Sequence, residues 1–196
     1  MIKKIFFLII FFIVNLNSIS LAENKFKIIA TVNKFPITKL DLEKELAIIK
    51  ILNNSIITKK EMNIALNNLI EEKIKTIEIE KEKLKIDDEK INNLYNNFVK
   101  NINSNNSNID KKISNLIKEK IKIDMLWNEL VAQKYAWKIS VNINEINKII
   151  LQNREKFPNS KKTKEQLIIE EKNKKLAVYS NFYLTQLKNK TLIKYF

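Results

Sequence analysis

Through most of the chain the apolar positions return every three to four residues with polar residues between them, the period of a helix that buries one stripe. Leu66, Leu69, Ile70, Ile74 and Ile77 follow it, as do Ile91, Leu94, Tyr95, Phe98 and Ile102. The pattern predicts helices over residues 39–52, 59–84, 88–102, 110–137, 143–156 and 164–189. Their starts are marked independently of the period. Thr38 precedes Asp41, Thr58 precedes Glu61, Asn142 precedes Glu145 and Thr163 precedes Gln166 at the spacing of a capping box, in which side chain and backbone satisfy each other's unpaired groups. Ile37 with Leu42, Ile57 with Met62, Val141 with Ile146 and Ile86 with Ile91 stand where a hydrophobic staple closes across a helix start. Residues 101–108 and 158–162 are polar and read as loops.

Only two segments read as strands. Residues 27–33 are followed by a turn at 34–36, and residues 191–196, TLIKYF, close the sequence with a β-branched and aromatic run. A lone strand leaves its N–H and C=O groups unpaired, so the simplest arrangement pairs Ile28–Val32 with Leu192–Phe196 and joins the two ends. The alternative is a frayed tail. The expected fold is mainly α, with about six helices and a small two-stranded sheet.

The first residues set the compartment. Lys3 and Lys4 precede an unbroken apolar run from Ile5 to Val14, and Ser20-Leu21-Ala22 places small residues where a signal peptidase reads them. Met1–Ala22 is therefore expected to be a cleaved signal peptide, and 23–196 a single exported domain. An uncleaved anchor is the alternative, but the run falls short of the roughly 20 residues that span a bilayer. With Cys and Gly both absent, neither disulfides nor glycine turns contribute, and burial of helix faces must supply the stability. Lys, Asn and Ile abound while Arg occurs once, at Arg154, the composition expected of an AT-rich coding sequence. The formal charge of +14 is accordingly a weak pointer to a polyanion partner, though it favours solubility and acidic surfaces.

Several stretches taken in order carry a resemblance. IIATVNKFPITKLDLEKEL (28–46), ALNNLIEEKI (65–74), LKIDDEKI (84–91) and WKISVNINEI (137–146) resemble the N-terminal helical module of the SurA family, periplasmic chaperones and parvulin-type prolyl isomerases. LTQLKNKTLIKYF (184–196) is similar to that family's C-terminal helix and closing strand. The resemblance implies a module over 23–157 completed by 163–196, acting as an ATP-independent holdase for unfolded outer-membrane or other envelope proteins. Two departures stand out. Lys85 occupies a place where the family usually has a left-handed Gly, so it either bears about 1 kcal/mol of strain or the second helix ends differently. Between Phe157 and Thr163 there is only a short loop where family members carry parvulin domains, so no isomerase activity is expected.

The residue inventory points the same way. Without His or Cys, the commonest general base, the thiol nucleophile and His/Cys metal sites are all missing, and without Gly there is no phosphate loop. Glu71, Glu72, Glu78, Glu80 and Glu82 alternate with lysines as a solvated helix face, and Asp87, Asp88 and Glu89 suit a helix N-terminus. The expectation is a binding protein, not an enzyme, with no cofactor and no metal.

Candidate peptide-binding residues are Met125, Leu126, Trp127, Leu130, Val131, Tyr135 and Trp137, which cover more of the fourth helix than one core stripe requires, with Tyr179, Phe182 and Tyr183 on the last helix. Any of them can instead be core. Rival readings are a basic polyanion- or nucleic-acid-binding protein, with lysines such as Lys111, Lys112, Lys118, Lys174 and Lys175 tracking phosphates, or a structural envelope subunit. The export signal and the near absence of Arg weigh against nucleic acid. Peripheral contact with anionic head groups is compatible with the charge.

Overall fold

The computed structural model describes residues 26–53, 56–102, 109–156 and 163–196. The expected signal peptide, Met1–Ala22, lies outside the described residues, as do 103–108 and 157–162, which hold most of the two expected loops. In chain order the elements are β1 (Ile28–Val32), β2 (Phe35–Thr38), α1 (Lys39–Asn53), α2 (Lys59–Glu82), α3 (Asp88–Ile102), α4 (Lys111–Lys134), α5 (Ala136–Ile139), α6 (Ile143–Lys156), α7 (Lys164–Lys190) and β3 (Ile193–Tyr195). The chain is mainly helical, with a small antiparallel sheet built from its two ends.

The sheet has three strands in the order β2-β1-β3, one more than the sequence suggests. The expected pairing of the ends is there: Ala30 faces Tyr195, Thr31 faces Lys194 and Val32 faces Ile193. The added strand is β2, paired through Thr31 with Pro36 and Val32 with Phe35. Proline hides it in the sequence, because a residue without an N–H reads as a turn. At the sheet edge the missing donor costs no ladder bond to a further strand.

Asn33 makes both joins possible. Its φ of 54° turns the chain from β1 into β2, a conformation that asparagine tolerates better than most residues. Its N–H donates to the Leu192 carbonyl at 2.7 Å, and its side-chain oxygen accepts from the Leu192 N–H at 3.1 Å. The far end is held where Phe196 N–H donates to the Ile29 carbonyl at 3.0 Å.

The capping chemistry holds at most helix starts. Thr38 and Asp41 exchange bonds of 2.9 and 3.2 Å, Thr163 and Gln166 the same, and Thr58 N–H donates to Glu61 at 3.0 Å. Asn142 caps α6 through the Asn144 N–H at 2.9 Å, one position earlier than a capping box uses. Two helix ends differ from expectation. The predicted helix 110–137 is broken at Tyr135, where φ and ψ of −116° and 24° leave the helical region and the short α5 begins. Of the two alternatives for the second helix, it is the end that differs: α2 stops at Glu82 and the left-handed residue is Lys83, φ 52°, so Lys85 bears no such strain.

The chain divides into two compact units. The first comprises the residues through Lys73, Asn97–Ile117 and Thr191–Phe196. It buries Ala30 and Val32 of β1, Ile37 of β2, Ile48 and Ile49 of α1, and Ala65 and Ile70 of α2. Among the described residues of this unit the Glu45 side chain is buried, and Asn68 Nδ2 donates to its Oε1 at 2.9 Å. The second unit comprises Ile74–Asn96 and Lys118–Lys190. Its buried side chains include Ile74, Ile79, Ile91, Ile139, Ile146, Leu167 and Leu184, each contributing about 1.5–3 kcal/mol by leaving water. Lys75 pairs with Asp124 at 2.7 Å, and Lys118 donates to the Asn92 side chain at 2.8 Å.

Candidate functional site

The candidate residues all belong to the second unit, on α4, α5 and α7 and, for Tyr135, at the break between α4 and α5. Helical spacing alone turns Leu126, Trp127, Leu130 and Val131 of α4 to one side, and all four are buried. Trp127 is 1% exposed; its indole N–H donates to Ser180 Oγ at 2.7 Å, which satisfies the one polar atom that burial would otherwise strand. Its ring stacks on Tyr183 of α7 with centroids 5.4 Å apart and planes 6° from parallel.

Tyr183 is buried too, and its hydroxyl donates to the Glu78 carboxylate. Burial, and then the bond to Glu78, push the Tyr183 phenol well above its ordinary range. Glu78 goes the other way: burial raises it, but hydrogen bonds from Lys81 and Tyr183 together outweigh that and hold it below the usual carboxylate value. The Lys134 ammonium sits 4.8 Å from the centroid of the Tyr183 ring, a cation–π contact.

From this anchor a run of rings leads outward. Tyr135, at the break between α4 and α5, meets Tyr183 edge-on at 5.9 Å, stacks on Tyr179 at 5.1 Å and meets Phe182 edge-on at 6.4 Å. Burial raises the Tyr135 phenol. Lys138 bridges the next step, its ammonium 5.5 Å from the Tyr179 ring and 4.7 Å from Trp137. Trp137 is 73% exposed and Phe182 48%, and exposed Val178 lies one helical turn before Phe182.

The ten candidates therefore separate by depth. Leu126, Trp127, Leu130, Val131 and Tyr183 are core; Met125, Tyr135 and Tyr179 are half-buried; Trp137 and Phe182 face solvent. The expected fourth helix, 110–137, does not carry Trp137 together with the other candidates, because it breaks at Tyr135 and Trp137 stands on the separate α5. Sequence reasoning did not single out Lys134, Lys138, Ser180 or Val178, and it read Glu78 as a solvated carboxylate, whereas the Glu78 side chain is only 12% exposed and accepts from Tyr183. Nothing in a lysine-rich chain distinguishes Lys134 and Lys138, which lie over rings of this set, from the rest.

The surface offers fixed aromatic faces beside two cations, suited to apolar, aromatic or acidic groups. Among the described residues no helix is long and apolar enough to cross a membrane, and no cluster of three or more His, Cys, Asp or Glu is placed to hold a metal ion. Compared with models of known protein families and with curated proteins, the chain matches none.

Proposed function

We propose that the chain is an ATP-independent holdase, related to the chaperone module of the SurA family and working in the periplasm after removal of Met1–Ala22. Its clients are unfolded outer-membrane or other envelope polypeptides, and it has no prolyl isomerase or other enzymatic activity. The observation that carries this reading is that exposed Phe182 and half-buried Tyr179 are tied by ring contacts through Tyr135 to the buried Trp127–Tyr183 stack, with exposed Trp137 joined to Tyr179 across the Lys138 ammonium.

Rings held by their neighbours lose little side-chain freedom when a client covers them, so more of the burial energy remains as affinity. Each exposed ring that becomes covered contributes about 1.5–3 kcal/mol. Two or three such rings, less the cost of ordering a flexible client, leave binding in the micromolar range or weaker. Such affinity suits capture and release without a nucleotide cycle. Aromatic faces also tolerate many sequences, and barrel strands alternate apolar and aromatic residues with polar ones.

The test is suppression of aggregation. An unfolded barrel protein is diluted from denaturant into buffer with the mature chain in several-fold excess, and light scattering is followed. The wild type should suppress scattering, and the Trp137→Ser/Phe182→Ser double variant should lose most of that effect while keeping its helical circular dichroism. Equal scattering with and without the wild type would remove the proposal.

A further inference from the structure

A separate recess of about 360 Å³ opens in the second unit, away from the ring set in its lining, and nothing in the holdase reading uses it. Its walls are apolar: Ala132 and Ala136 on either side of the helix break, Ile139 of α5, Ile143 opening α6 and Ile168 of α7. Two polar side chains line it, Ser140 and Lys172, and no carboxylate does.

The Ser140 hydroxyl donates to the Trp137 carbonyl at 2.8 Å, which leaves its lone pairs as acceptors and holds the α5–α6 joint in place. Lys175 donates to the Ser140 carbonyl at 2.9 Å, so a second ammonium group stands by the same wall residue. Apolar walls, a cation in the lining, another nearby and no lining anion make a setting for a ligand with a greasy body and one negative end.

We propose that this recess binds an alkyl carboxylate, with its chain against Ala136, Ile139, Ile143 and Ile168 and its carboxylate beside Lys172. Size sets the length. A cavity of about 150 Å³ accepts the six carbons of benzene, so by the same ratio the recess of about 360 Å³ takes about fourteen heavy atoms, room for an acid of about eight to twelve carbons. It falls in the range of small-ligand sites, about 300–1,000 Å³. A polypeptide C-terminus offers the same carboxylate but brings backbone amides against apolar walls, where their unmet hydrogen bonds cost affinity.

The experiment is a titration of the isotopically labelled chain followed by backbone amide shifts. The probes are octanoate, octanol, and acetyl-Ala-Phe with a free carboxylate. Octanoate should shift the amides of Ser140, Ile143 and Ile168 saturably and bind about fivefold or more tightly than octanol. Lys172→Met should abolish that preference, while Lys174→Met, on the same helix outside the lining, should keep it.

Equal affinity for octanoate and octanol, an unchanged preference in Lys172→Met, tighter binding of the peptide than of octanoate, or no saturable shift would each overturn the proposal. None of these results bears on aggregation suppression. The Trp137→Ser/Phe182→Ser variant should bind octanoate as the wild type does, so the two sites fail separately.

Discussion

The contact between Tyr183 and Glu78 couples the aromatic anchor to pH. Glu78 ionises in the folded chain below its ordinary 4.5 because Lys81 and Tyr183 donate to it. A depressed carboxyl contributes stability that is complete above the unfolded value and disappears as pH falls through the folded one. Glu78→Gln should therefore lower the urea midpoint at about pH 6 and leave it closer to wild type at about pH 3. Tyr183→Phe keeps the stack on Trp127 and deletes only the hydroxyl, so it should cost about 1 kcal/mol at neutral pH and less once Glu78 is protonated. A pH-independent loss in either variant would show that the hydroxyl–carboxylate bond is not the source. None of this was legible in the sequence, where Glu78 reads as one of several solvated helix carboxylates. A helical repeat shows which side a residue takes but not the partner across the contact, here separated by more than a hundred positions.

At the scale of elements, the readable features were those written locally. Thr38 with Asp41 and Thr163 with Gln166 form in the structure the bonds their spacing implied, and the two terminal strands pair as expected, although β1 also takes β2 on its other edge. What escaped was conformation without a residue signature. Tyr135 breaks a helix whose apolar pattern continues through it, and Lys83 takes a left-handed φ that glycine would mark openly. The left-handed Lys83 gives a prediction. Lys83→Gly removes the clash of a Cβ at φ 52°, and should raise stability by about 0.5–1 kcal/mol, net of the greater freedom of glycine in the unfolded chain. Lys85→Gly, outside the left-handed position, should destabilise or do nothing; thermal unfolding of the two variants separates them. Asn33 extends the argument to the sheet. Asn33→Gly keeps the positive φ and loses only the side-chain bond to the Leu192 N–H, whereas Asn33→Ala loses that bond and also places at a strained φ a residue that tolerates it less than asparagine. Alanine should therefore be the more destabilising, with faster hydrogen exchange at Ala30 and Val32.

For the molecule as a whole, the question is whether its charge or its rings do the binding. The formal charge of +14 comes from 36 Lys and Arg against 22 Asp and Glu, and it would draw any polyanion. At the ring set, however, Lys134 and Lys138 already lie against Tyr183, Trp137 and Tyr179. They serve there as part of the aromatic surface. Salt separates the two modes, because a phosphate-tracking protein releases counterions for each contact whereas apolar burial releases none. Raising salt from about 50 to about 200 mM should leave suppression of client aggregation within about twofold. A site built on six to ten phosphate contacts would lose on the order of a thousandfold or more over the same interval. A steep fall in client capture, unchanged by Trp137→Ser/Phe182→Ser, would transfer the function from the rings to the lysines.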